Sequence, residues 1–583
     1  MVSDYDQFRL RIFKEKGKKP VSASGKIAVS SVSREATFFA IDVMKRGGNA
    51  FDAAFALALS LTIYHPQAGN IGGGGYLLYK LKGASKPSVL NYRERAPKAV
   101  KIKHFLDENG HVKPDLTAFG PRSICVPGTL KAFFNIQKRY GNLRAGDILR
   151  ELSKRAREGG RITAYEAQCL NRLREKLSFS PESRSIYVKE HGLFKEGDSL
   201  PNPNLAGTLE IMADEDERAF YEGRVAEMIE RDITDNGGFL TVEDLKNYEL
   251  REQEPICTEF SGYKVWTVPP EGGGAILIEI LNILNRNEFL RLKPFTPLFY
   301  HFLAQACKIA FIDRMYYLGD INLESNMVYL DIFKNLAMER AFNHIDGKRD
   351  IATGILLERL HGQSFSELCK SEGTGDEPAG GKGIRNMFPG SSETTHFSII
   401  DGEGNAVSNS YTLNLRYGSK WSVRGCGFLL NGSIDSFSFH PGEPNYFGLP
   451  GNRANLLAQG KRPASNMCPV MVTRDEDVEM LLGCPGGPAI PATLSMILLS
   501  VLGAGVDPVI AVEEARIHHQ GWPDVLFRED DEILMERLRT LEEMGYRVEK
   551  KNEPIGDVHA VFKRGDGYLA VSDNRREGYA AAI

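Results

Sequence analysis

The 583-residue sequence predicts a layered body that mixes strands and helices, of the α/β or α+β class. Three observations predict it. A strand, two helices, a glycine run and another strand follow one another between residues 26 and 80. The middle of the chain, about 100–370, is rich in helical patterns with charged faces. Strand pairs joined by short turns recur after residue 394.

Each element has a local reason. Lys26–Val32 reads as a short strand and Ser33–Arg46 as a helix, with Ala36, Phe39, Ala40 and Val43 on one face. Gly47 and Gly48 can end that helix in a left-handed turn. Asn49 followed by Asp52 is an N-cap signature for a second, apolar helix over Ala50–Ile63. Gly72–Gly75 precedes a strand at Tyr76–Lys80. Asp147–Glu158, Leu209–Asp216 and Tyr300–Phe311 carry helical periodicity. Ser371–Ser392 holds six glycines and two prolines and reads as an exposed, flexible loop. Thr395–Ile400, the turn Asp401–Asn405 and Ala406–Asn414 then read as a hairpin. If Ile400 faces Ala406, Thr394 faces Thr412, and Asn414 shares the side of Thr412. An apolar helix at Ala492–Leu502 and a closing hairpin, Val558–Phe562 with Tyr568–Ser572, complete the reading. No 20–50-residue repeat is visible, which argues against a solenoid.

Composition narrows the class of function. Apolar residues at 42% exclude disorder as the main state. Lys plus Arg is 72 against 76 for Asp plus Glu, a net charge of −4 that argues against nucleic acid or an anionic membrane as partner. Eight cysteines without a CxxC give no support to a zinc ribbon or a thioredoxin-like site, and most read as buried apolar thiols. The charged leader lacks the apolar stretch of a signal peptide, and the apolar runs near 53–64 and 493–503 are too short to span a bilayer. A soluble cytoplasmic protein is expected. No P-loop, GxGxxG, HExxH or GxSxG motif is present, so neither cofactor nor metal is expected. His396 and His559 read as structural hydrogen-bonding histidines rather than general bases.

Thr394 is the residue that draws chemistry. It sits where the glycine-rich loop, ending at Glu393, meets a strand. Cleavage between Glu393 and Thr394 would leave a threonine with a free α-amine. That amine is a base with an ordinary pKa of about 7.7–8.0 beside its own hydroxyl nucleophile, so no histidine is needed. Across the hairpin, Thr412 would sit where it can orient that hydroxyl.

The segment TTHFSIIDGEGNAVSNSYTLN, Thr394–Asn414, resembles the diagnostic segment of the gamma-glutamyltranspeptidase family of N-terminal-nucleophile hydrolases. Other similar segments are RGGNAFDAA (46–54), NIGGGGY (70–76), NYRERAP (91–97), VPGTLKAF (126–133), DRMYYLGD (313–320), GFLLN (427–431), GKRPASNMCP (460–469) and GCPGGP (483–488). The resemblance runs from about 26 to 578 and implies an α+β fold, a four-layer αββα sandwich. It implies self-cleavage into a large fragment, 1–393, and a small one, 394–583. These would stay together as a heterodimer, with pairing of two heterodimers left open. It assigns Thr394 as nucleophile, Thr412 as its orienting partner, and Gly486 with Gly487 as the oxyanion hole. Arg93 would pair with the donor's α-carboxylate, Ser465 would assist, and Asn414 would contact the α-amino group.

The sequence also departs from the family pattern. Ser433 and Ser436 stand where the family places an acidic or amide residue and then an aspartate to clamp the donor's ammonium. Asn466 replaces a second carboxylate-binding serine, and Phe447 replaces a pocket-screening tyrosine. Serine hydroxyls compensate a buried ammonium poorly, and Asp435 is a candidate to replace the lost charge. The expected activity is transfer or hydrolysis of a gamma-glutamyl group, from glutathione or a related amide, to water or an amine through an acyl-Thr394 intermediate. A pocket dominated by Arg93 also fits an acylase for glutaryl-type amides without the ammonium. The reading of another class is an unprocessed, non-catalytic binding or structural relative.

Overall fold

The computed structural model describes residues 20–285, 287–320, 331, 333, 336–362, 364 and 392–583. The glycine-rich stretch 371–391, expected to be a loop, lies outside the described residues. Two seven-stranded antiparallel sheets form the centre. One runs in the order Val21–Gly25, Gly567–Ser572, His559–Arg564, Asp477–Gly483, Val470–Arg474, Tyr263–Thr267, Ile256–Phe260. The other runs Tyr579–Ala582, Ala28–Ser31, Ser392–Ile400, Ala406–Leu415, Gly74–Lys80, Ser88–Asn91, Arg251–Gln253.

Alternation along the strands builds the layers. Tyr76 and Leu78 face inward, where with Ile400, Ala406, Met471, Leu481 and Val561 they fill the space between the sheets. Leu77 and Tyr79 face outward and pack with Phe397 and Tyr411 under helices Arg34–Lys45, Ala50–Tyr64 and Thr129–Tyr140. On the far side, Val470, Leu482 and Phe562 lie under helices Gly274–Leu284, Pro297–Tyr317 and Ala489–Leu498. The result is a helix–sheet–sheet–helix sandwich. Helix Ala50–Tyr64 is buried on all sides except at Tyr64, which explains its lack of a polar face, and Asn49 with Asp52 forms the expected capping box.

The strand expected over Lys26–Val32 is present as Ala28–Ser31, and the chain crosses from one sheet to the other just before it. Val21–Gly25 pairs with Tyr568–Ser572 in one sheet, whereas Ala28–Ser31 pairs with strands of the other. Gly25 allows the crossing, because a Cβ there would lie 2.4 Å from the Ile583 carbonyl oxygen. The apolar helix expected over Ala492–Leu502 starts earlier, at Ala489, and after Leu498 widens into a π-turn over Leu499–Gly503.

The hairpin that carries Thr394 occupies the middle of its sheet. Its register is the expected one: Ile400 faces Ala406 and Thr394 faces Thr412, with an irregularity between Ser392 and Thr394. Gly74 is paired with Thr412 on the other side. A Cβ on Gly73 would meet the Thr412 carbonyl oxygen at 2.2 Å, so the glycine run lets this backbone pack against the hairpin. Among the described residues no helix is long and apolar enough to cross a membrane.

Candidate active site

Thr394, Thr412 and Asn414 are each about 95% buried and line one small pocket with Arg93, Arg314, Ser436, Phe447, Ser465, Asn466 and Gly487. The hairpin supplies the first three. Asn414 sits at φ 76, a left-handed conformation that asparagine tolerates better than most residues. Its backbone N–H donates to the Thr412 hydroxyl at 2.8 Å, and its side chain donates to the Gly432 carbonyl at 2.9 Å. The Thr412 hydroxyl donates to the carbonyl oxygen of Glu393 at 2.6 Å. In the uncleaved chain Thr412 therefore polarises the carbonyl that precedes Thr394.

Glu393 itself was visible in the sequence only as a cleavage position. Here its side chain is completely buried in a cationic cage. Arg416 Nε donates at 2.7 Å, Arg576 Nη1 at 2.7 Å and the Tyr165 hydroxyl at 3.0 Å. Burial pushes the Glu393 carboxyl up, but Arg576, Arg416 and His65 outweigh it and hold it at about 2.

The surroundings of Arg93 are more crowded than expected. Arg93 is buried and its Nη1 is 2.6 Å from Glu94 Oε2. Ser433 donates to the other oxygen of Glu94 at 2.9 Å. Ser433 is thus turned behind Arg93 and is absent from the wall of the pocket, and the field there is not set by Arg93 alone. Arg314, unassigned in the sequence, adds a second guanidinium and donates to Asn466 Oδ1 at 3.2 Å. The Ser465 hydroxyl accepts the Met467 N–H at 3.0 Å. Among the described residues that line this pocket there are two arginines and no carboxylate.

Residues 433–436 form a single 3-10 turn. Successive residues in such a turn are about 120° apart, so Asp435 and Ser436 point to different sides. Ser436 donates to Asn414 Oδ1 at 2.8 Å and stays in the pocket wall. Asp435 turns away to Thr117, whose hydroxyl donates to it at 3.2 Å, and lines a neighbouring cavity instead. Burial pushes its carboxyl up to about 7.

Gly486 and Gly487 have φ values of 140 and 56, which L-residues with a side chain rarely adopt. Gly487 borders the pocket, and both immediately precede helix Ala489–Leu498, whose N-terminal end favours negative charge. His396 is locked between Ser410 at 2.8 Å and Ser398 at 3.1 Å, and burial and then His559 push its pKa well down. His559 lies 2.8 Å from the Ser572 hydroxyl. Among the described residues no group of three or more His, Cys, Asp or Glu could hold a metal ion.

The chain is similar to known proteins over nearly its whole length. The family described as Gamma-glutamyltranspeptidase matches residues 36–583. A glutathione hydrolase proenzyme of Escherichia coli (strain K12) is 33% identical over 550 residues, covering 94% of this chain and 90% of that protein. A glutathione hydrolase proenzyme of Pseudomonas aeruginosa is 32% identical over 563 residues, covering 95% and 94%. In fold, the chain is similar to a cephalosporin acylase from Bacillus halodurans, with a TM-score of 0.78 at 23% identity over 97% of both chains.

Proposed function

The chain belongs to the gamma-glutamyltranspeptidase family, and from that premise we propose that it is a self-processing enzyme that hydrolyses or transfers the gamma-glutamyl group of glutathione and related amides. The observation that carries the proposal is the Glu393–Thr394 junction, which sits in a pocket with two guanidiniums while Thr412 bonds the Glu393 carbonyl. In processing, the Thr394 hydroxyl oxygen attacks the Glu393 carbonyl carbon, and the Thr394 nitrogen leaves as an amine after taking a proton. Water then cleaves the resulting ester, giving a Glu393 carboxylate and a free Thr394 hydroxyl.

In turnover, the Thr394 amine takes the hydroxyl proton as the oxygen attacks the donor carbonyl. The oxyanion is stabilised by backbone N–H groups at Gly486 and Gly487. Collapse expels the leaving amine, which receives that proton. Water or an acceptor amine then resolves the acyl ester. Arg93, supported by Ser465, takes the donor carboxylate through its fork geometry.

Cleavage breaks one peptide bond but leaves the ladders intact. The small fragment's hairpin lies between the large fragment's Ala28–Ser31 and Gly74–Lys80, and Val470–Arg474 pairs with Tyr263–Thr267. The fragments therefore stay together as a heterodimer. A dimer of heterodimers and a cytoplasmic location belong to the same proposal, tested by sedimentation and by cell fractionation.

The absence of a carboxylate from the described pocket wall favours a second reading for the donor. A glutaryl-type acyl group brings the carboxylate without an ammonium that needs a partner. Processed protein assayed with gamma-glutamyl and glutaryl amides of one chromogenic amine separates the two. Failure to turn over either donor would refute the proposal.

A further inference from the structure

The pocket around Thr394 is small, about 40 Å³. A second cavity of about 320 Å³ adjoins it, and Arg314, Ser436, Asn445 and Leu449 belong to the walls of both. A donor's groups beyond its reacting carbonyl can extend along these shared residues into the larger cavity.

The larger cavity has a definite chemistry. Phe119, Phe437, Phe439, Tyr446 and Leu449 make it mostly apolar. Asp435 is buried in its wall beside Arg314 and Ser436, and its carboxyl accepts from the Thr117 hydroxyl at 3.2 Å and interacts with Asn414 and the Tyr446 backbone N–H. Ser436 stands between the two cavities, with its hydroxyl donating to Asn414. This is also the end of the pocket where a gamma-glutamyl donor would carry its α-nitrogen, since Asn414 and Ser436 are the residues there.

We propose that the α-nitrogen of the preferred donor is acylated, so that a neutral amide replaces the ammonium and an apolar acyl group occupies the cavity beside Asp435. This inference rests on the reading of the site as one for gamma-glutamyl amides. It accounts for the lining of the Thr394 pocket. A neutral N–H needs no carboxylate in the Thr394 pocket, where none is found among the described lining residues.

The test uses the processed enzyme and three p-nitroanilides: gamma-glutamyl, glutaryl and N-phenylacetyl-gamma-glutamyl. The N-phenylacetyl donor should have the highest kcat/KM, about tenfold above the gamma-glutamyl donor. Ser436→Phe, which fills the junction, should lower kcat/KM for the N-phenylacetyl donor at least tenfold more than for the glutaryl donor. As a check that needs no variant, N-phenylacetylglutamate should inhibit more tightly than glutamate. A kcat/KM for the N-phenylacetyl donor equal to or below that of the gamma-glutamyl donor overturns the inference and leaves the family activity standing. No turnover of any of the three by processed enzyme would instead refute the proposed function itself.

Discussion

The cage around Glu393 gives the most quantitative prediction. A carboxyl held at about 2 instead of 4.5 is worth about 3 kcal/mol of stability to the uncleaved chain at neutral pH. Because the folded-state value is depressed, that contribution is complete above about pH 4.5 and disappears as the pH falls toward 2. Glu393→Gln keeps the shape but removes the charge, leaving the buried Arg576 and Arg416 guanidiniums against a neutral amide. Breaking one partner of a buried pair typically costs about 3–5 kcal/mol, and the amide oxygen offsets part of this. In a Thr394→Ala background, which keeps the precursor intact, Glu393→Gln should destabilise by about 3 kcal/mol at pH 7 in denaturant titration. The gap should close as both proteins are titrated toward pH 2–3. With Thr394 restored, processing should slow at least tenfold, since the cage fixes the carbonyl that Thr412 polarises. A loss below about 1 kcal/mol together with unchanged processing would refute the reasoning.

Three further predictions follow from the site. Thr412→Val should slow processing, and in protein that has been processed should lower turnover roughly ten- to a thousandfold, the range for a positioned catalytic group; time courses on gels and steady-state kinetics check both. Arg93→Ala should cost about 2–5 kcal/mol in kcat/KM for donors with a terminal carboxylate and spare their carboxamide counterparts, and equal losses on both would make Arg93 a structural residue paired with Glu94. Ser436→Asp alone should shift preference toward free gamma-glutamyl donors over glutaryl donors by about 1–3 kcal/mol, whereas Ser433→Glu should not help, because it would confront Glu94; the ratio of kcat/KM for the two donors decides.

The nucleophile hairpin was legible because a strand's two-residue period and one short turn fix the register, and Thr394 opposite Thr412 follows from them. A layered mix of strands and helices was legible from the order of the elements, whereas the four-layer αββα arrangement followed from the family resemblance. The cage was not, because Tyr165, Arg416 and Arg576 meet Glu393 only through the fold, across sequence separations of 228, 23 and 183. Glu94 stood beside Arg93 in the sequence, but nothing local shows that a neighbour curls back to pair with it rather than facing away. The directions of Ser433, Asp435 and Ser436 depend on a 3-10 turn, and an extended reading of the same four residues points them differently. The crossing at Gly25 depends on the chain terminus packed against it.

The central claim is that Thr394 becomes the nucleophile by releasing its own α-amine. Mass spectrometry of purified protein, with N-terminal sequencing of the smaller fragment, tests it most directly. A fragment that begins at Thr394, with Thr394→Ala remaining full length, is the predicted result. A fragment that begins at any other residue, or one that still forms in Thr394→Ala, would contradict it.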